Sequence, residues 1–228
     1  MLERTTVASV GLLTSTETVA HKWLEGLAQK ASEVYIFDVK APRLLLSNYT
    51  REGAFTASLT VLSGELGHTI TPHSHDFWES FLILSGSGLH QVNGHEYPLE
   101  PGQVWLVRPR DTHSLRPHPV ASLRFINVAF SSSVWLGFLE FIGLSEQALC
   151  WQSAQRPPMV RVVGMDYEQA QALYQTTIQE SLKASSKLPL VRFWTWLVPW
   201  LEQSESNGLR QAPAWLAVML RALDDPQT

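Results

Sequence analysis

The chain has 228 residues, a hydrophobic share of 45%, a charged share of 17% and a formal net charge of −4. That is room for one large or two small domains with an ordinary globular core. It argues against a basic nucleic-acid-binding surface, and the apolar runs are too short and interrupted to span a bilayer. The opening MLERTTVASVGLL lacks a basic region followed by a clean apolar stretch, so no signal peptide is expected. Cys150 is the single cysteine. One thiol forms no internal disulfide, which suits a cytoplasmic protein; its expected role is that of a small buried hydrophobe.

Residues 1–32 contain one helical pattern. Glu17 to Ala31 sets Val19, Trp23, Leu27 and Ala28 on one stripe, with Ser15 or Thr16 as N-cap. This predicts a helix packed on the rest of the domain or at a dimer contact. From Glu33 to Phe130 the pattern turns to strands: EVYIFDV, RLLLSNYT, AFTASLTVL, ESFLIL, GLHQV, HEYPL, QVWLV and SLRFINVAF. Asn93-Gly94 marks a tight hairpin, because both turn positions tolerate positive φ. Pro101-Gly102 marks another turn. About eight short strands in about 100 residues are what a jelly-roll barrel requires.

From Ser131 onward the pattern is helical. SSVWLGFLEFIGL and SEQALCW predict two short helices. Asp166 and Gln169 make a capping box for a helix running to about Lys183. Pro189 opens a further helix rich in Trp194, Trp196 and Trp200, which Pro199 should kink or start irregularly. Such an aromatic run predicts helix-packing core or a dimer interface. EQSESNGLRQ reads as a linker. Ala212 to Leu223 then begins a fresh apolar-periodic helix, with Pro213 at its first position.

The chemistry concentrates between Gly67 and Gly86, in GHTITPHSHDFWESFLILSG. In a strand, residues two apart share a face. His73, His75 and Glu79 have one parity and can all point inward. A second segment, PGQVWLVRPRDTHSL, supplies His113 as a fourth candidate. Imidazole nitrogen and carboxylate oxygen suit divalent zinc, nickel, manganese or iron, and such a set leaves positions open for water or substrate. The same residues also suit a metal-free polar pocket that hydrogen-bonds a sugar. Trp78 and Trp105 are candidates for stacking on a sugar ring or for plain core packing, and Trp105 shares a strand face with Gln103 and Val107. Arg108, Arg110 and Arg116 offer forked donors for a ligand phosphate or carboxylate, or are solvated surface charges. His68, His90, His95 and His118 are expected on turns or strand edges at the surface.

At these residues a resemblance appears. The Gly67–Gly86 segment resembles the first cupin motif in full, and Gly102 to His113 resembles the second, with Pro109 as its proline. Asp111 stands where that pattern prefers Gly, and the Pro-to-His spacing is one residue shorter. The resemblance implies a double-stranded β-helix, a mainly β fold with a helical tail. Its members include dioxygenases, isomerases, storage proteins and sugar sensors.

The whole chain is similar to AraC/XylS-family transcription regulators, particularly the branch with chitobiose-operon regulators. The similarity rests on the cupin half, on SLRFINVAFSS, and on Pro213-Ala214-Trp215-Leu216 after the linker. It implies a helical extension at 1–32, a cupin barrel at 33–130, a helical dimerisation and linker region at 131–204, and at 205–228 a linker with the first helix of a DNA-binding domain cut short. The expected function is effector sensing and dimerisation, with a sugar-class small molecule bound in the barrel beside a divalent metal. DNA would be read only by a C-terminal domain beyond this chain. The alternative is a metal-dependent cupin enzyme, a dioxygenase or isomerase, although no residue stands out as a catalytic acid or base.

Overall fold

A computed structural model describes residues 41–50, 54–182 and 186–205. The predicted helix at Glu17–Ala31, the strand at 33–39, the 206–211 part of the linker and the helix at Ala212–Leu223 lie outside the described residues. The described strands are β1 (Arg43–Leu44), β2 (Phe55–Ser63), β3 (Ile70–His75), β4 (Phe77–Ser85), β5 (Gly88–Val92), β6 (His95–Leu99), β7 (Gln103–Val107), β8 (His113–Pro117), β9 (Ser122–Ser131) and β10 (Met159–Arg161). The helices are α1 (Ser132–Phe141), α2 (Ser145–Ser153), α3 (Met165–Ser181) and α4 (Leu188–Glu205).

The strands form two five-stranded sheets, ordered β1-β3-β8-β5-β6 and β10-β7-β4-β9-β2. Their inner faces enclose one core of Leu62, Ile70, Phe81, Ile83, Leu99, Trp105, Val107, Leu115, Leu123 and Phe125. The outer face of the second sheet carries a separate core shared with the helices. Period-two alternation produces both. In β9, Leu123 and Phe125 turn inward, while Ile126, Val128 and Phe130 turn to the helices. Strands β4 and β7, inside that sheet, are therefore buried on both faces. This is the double-stranded β-helix of the cupins, followed by helices.

Local chemistry explains the turns. Asn93 (φ 51°) and Gly94 (φ 83°) join β5 to β6 with Val92 opposite His95, the hairpin that the dipeptide predicts. Gly102 has φ 85°, and a Cβ there would meet the Val162 carbonyl oxygen at 2.3 Å.

Several expectations change. RLLLSNYT is not one strand. Arg43–Leu44 pairs in parallel with β3, and Leu46–Asn48 then turns as a 3-10 helix, held by the Leu46 N–H donating to Asp76 Oδ1 at 2.8 Å. The capping box at Asp166 does not form: α3 starts at Met165 after Gly164, without a side-chain cap. Asp166 instead sits in the first turn, where its charge suits the helix dipole. Helix α4 runs on through Pro199; buried Phe193, Trp194, Leu197 and Leu201 hold it against the sheet and neighbouring helices. Trp194 and Trp196 are buried in the helical core, as the aromatic run predicts. Cys150 is exposed rather than buried, on the outer side of α2. Among the described residues, no helix is long and apolar enough to cross a membrane.

Candidate metal and effector site

The chain leaves the first sheet at Asp76 and enters the second at Phe77. His73 and His75 therefore sit on β3, and Glu79 faces them from β4 across the barrel. Their shared parity does not reflect one continuous strand. His113 opens β8, directly opposite His73 in the ladder, with ring centroids 4.4 Å apart. All four side chains are at most 2% exposed. One donor atom each from His73, Glu79 and His113 lies within 4.8 Å of the others.

The hydrogen bonds around the rings decide which nitrogen faces the centre. His73 Nδ1 donates to the Thr71 carbonyl at 2.9 Å, and His75 Nδ1 to the Phe77 carbonyl at 2.6 Å. A carbonyl can only accept, so in each neutral ring the proton sits on Nδ1 and Nε2 keeps its lone pair. His75 Nε2 lies 3.4 Å from Glu79 Oε2, and His113 Nε2 lies 3.1 Å from the same oxygen. These three buried atoms have no partner with hydrogen-bond geometry. A lone pair pressed against a carboxylate in a dry interior is costly unless a cation stands between them. Protonating several adjacent rings is opposed by like-charge repulsion. Divalent ions suit such imidazole and carboxylate donors, and His73, Glu79 and His113 are the group whose donor atoms lie close enough together to hold one.

Electrostatics agree. Burial, and then the neighbouring His113, push the His73 pKa down to about 3, so this ring is neutral and able to ligate. Burial alone would raise Glu79, but its contacts with His113 and then His75 outweigh that and hold it well below the usual carboxylate range. Its other oxygen, Oε1, accepts from the Asn127 amide on β9, which aims Oε2 at the histidines. Asn127 escaped the motif reading; the signal for it was its inward parity with Leu123 and Phe125. Tyr49 lies at the edge of the site: burial, and then the charge of Glu79, raise its phenol.

The remaining candidates separate. Trp105 points into the barrel, where its indole N–H donates to Gln103 Oε1 at 3.2 Å, on the predicted face. Trp78, one residue before Glu79, points the opposite way. It packs on Trp135 of α1 and borders a cleft of about 540 Å³ between the 108–110 loop and helices α1 and α2. Arg108 is 1% exposed and its donors are committed. Nε and Nη2 donate to the Asp111 carboxylate, both at 2.8 Å, and Nη1 donates to the carbonyls of Trp151, at 3.1 Å, and Ala154. The guanidinium thus brackets the β7–β8 loop to the end of α2 and does not face the histidines. Asp111, which replaces the expected Gly, is what makes that bracket. It also accepts from Asn93 Nδ2 at 2.8 Å. Arg110 and Arg116 are exposed. His68, His95 and His118 are exposed as expected. His90 is not: it is fully buried, with Nε2 3.3 Å from His113 Nδ1, because its position on β5 faces the barrel interior.

Residues 58–190, more than half of the chain, match the model of the AraC-like ligand binding domain. The HTH-type transcriptional activator RhaS of Escherichia coli O6:H1 is 30% identical over 159 residues, which cover 67% of this chain and 55% of the relative. RhaS of Pectobacterium carotovorum is 37% identical over 70 residues, covering 31% of this chain and 24% of the relative. The chain thus spans at most about half the length of these relatives. A cupin protein from Bacteroides fragilis has a TM-score of 0.33 at 20% identity, over 38% of this chain and 74% of that one. On its matched residues, the chain belongs to the family of AraC-like ligand-binding domains.

Proposed function

We propose that this chain is the effector-sensing and dimerising part of an AraC-type transcription regulator. It binds a sugar-class small molecule in the barrel at a divalent metal held by His73, His75, Glu79 and His113. The observation that carries the reading is the contact of carbonyl-locked His75 Nε2 with Glu79 Oε2 at 3.4 Å. Two buried acceptors face each other where a cation would satisfy both. A metal ion there would act as a Lewis acid toward ligand hydroxyl oxygens.

The chain's own residues supply the rest. Thr71 and Phe77 carbonyls orient two rings, and Asn127 orients Glu79. Trp105 contributes an apolar wall. Binding can shift a regulator only if the ligand prefers one arrangement of barrel and helices. The Arg108–Asp111 bracket supports such coupling, since it joins the loop that leads to His113 to the end of α2. The helical region at 131–204 would form the dimer contact, and DNA would be read through a separate domain. The similarity to RhaS, an HTH-type transcriptional activator, supports this reading over a metal-dependent enzyme.

Elemental analysis by inductively coupled plasma mass spectrometry tests it. The purified chain should carry near-stoichiometric divalent metal, and His73→Ala should carry almost none. A folded wild-type protein that takes up no metal, even with divalent ions supplied, would sink the metal half of the proposal and leave a polar effector pocket.

A further inference from the structure

We propose that His90 is a positioning residue for the metal site: it accepts the Nδ1–H of His113 and thereby turns the Nε2 lone pair of His113 toward the metal. The inference rests on the metal reading above and assigns a role to a residue outside both cupin motifs. The three histidine ligands are not held alike. His73 and His75 are locked by backbone carbonyls, which accept and never donate. His113 has neither; among the described residues, the partner found for its Nδ1 is His90 Nε2 at 3.3 Å. An imidazole nitrogen accepts or donates according to its tautomer, so this lock has two settings.

In one setting His90 Nε2–H donates to His113 Nδ1. The His113 proton then sits on Nε2, beside Glu79 Oε2, and the ring cannot ligate through that atom. In the other setting His113 Nδ1–H donates to His90 Nε2. The His113 lone pair then faces the centre, and the His90 proton moves to its own Nδ1. Each ring keeps one proton throughout, so the exchange neither takes up nor releases any. The surroundings fit a ring whose tautomer is free to change. His90 Nδ1 is buried without a hydrogen-bond partner, so no neighbour pins the proton to either nitrogen. Phe81 and Trp105 stand perpendicular to the ring, at 5.2 and 4.6 Å between centroids, an arrangement in which a ring N–H can meet an aromatic face. Partners that orient a ligand histidine typically change metal affinity by about 10–100-fold when removed.

The test is zinc affinity of the full chain by titration calorimetry, with His90→Leu and His90→Gln. Leu and Gln are similar in size, so both disturb packing against Phe81 and Trp105 alike, but only Gln offers an acceptor. His90→Leu should bind zinc about 10–100-fold more weakly, and His90→Gln should recover most of that loss. In the zinc-loaded wild type, nitrogen-15 shifts should show His113 protonated at Nδ1 and coordinated through Nε2. Wild-type affinity in His90→Leu, or His113 coordinated through Nδ1, would overturn the role of His90 while leaving the metal site standing. A wild-type protein that binds no zinc would remove both. If His90→Leu does not fold, the nitrogen-15 measurement on the wild type decides.

Discussion

The two faces of strand β4 make the sharpest contrast in the molecule. Glu79 and Phe81 face the barrel interior, where four imidazoles, a carboxylate and an amide are buried together. Trp78, Ser80 and Leu82 face the helices, where Trp135, Trp151, Tyr174 and Trp194 pack as an aromatic layer. One strand thus serves a face where a carboxylate and imidazole nitrogens converge and a face of aromatic packing, where Ser80 and Tyr174 partner each other and the indole N–H groups of Trp135, Trp151, Trp194 and Trp196 are buried without a hydrogen-bond partner. The outer face stabilises the domain. The inner face bears polar groups that stability does not call for, which is the mark of a site.

The largest break of this contrast should come from the bracket that joins the two regions. Arg108→Ala leaves the Asp111 carboxylate buried without its counter-charge and removes the side-chain donor to the Trp151 carbonyl, so it should cost about 3–5 kcal/mol in urea denaturation. A loss under about 1 kcal/mol would show that the bracket behaves like a surface pair. The same carboxylate predicts a pH dependence. Burial would raise Asp111, but hydrogen bonds from Arg108 and Asn93 outweigh it and lower its pKa. A depressed carboxyl contributes stability that is present above its unfolded value, about 3.9, and is lost as pH falls through the folded value. Stability measured from pH 6 downward should therefore fall more steeply in the wild type than in Asp111→Asn; parallel curves would refute it.

Smaller effects test each face alone. On the helical side, Ser80 and Tyr174 share a buried hydrogen bond of 2.6 Å. Tyr174→Phe should cost about 1 kcal/mol and leave metal content untouched. Inside the barrel, Glu79→Gln should abolish metal retention yet change metal-free stability by less than about 1 kcal/mol, or raise it, since a buried ion cluster is weak evidence for stability. A large destabilisation of metal-free protein by Glu79→Gln would mean that the inner polar cluster is structural after all.

Much of this was legible in the residues. Alternation and turn chemistry located β5, β6 and β7 to the residue, because GLHQV, HEYPL and QVWLV are short runs bounded by Gly, Asn and Pro. The spacing of His73, His75, Glu79 and His113 pointed to side chains that the fold buries together. Strand composition did not announce β3 and β8, which carry three of those four residues. TPHSH and HSLRP are rich in His, Pro and Ser, and they are strands because neighbours across the ladder supply the hydrogen bonds. The separation of Trp78 and Arg108 from the histidines followed from which face each position takes.

By itself, the sequence determined the inventory: a β-rich segment with the motif ligands, then amphipathic and aromatic helices that need a surface to cover. Local preference and periodicity suffice for that, since both act over a few residues. Tertiary structure alone decided the rest. It placed Glu79 on a different sheet from His73 and His75, brought Asn127 and His90 in from β9 and β5, and spent Arg108 on a buried bracket. Each of those outcomes depends on contacts between residues far apart in the chain, and no local window contains both partners.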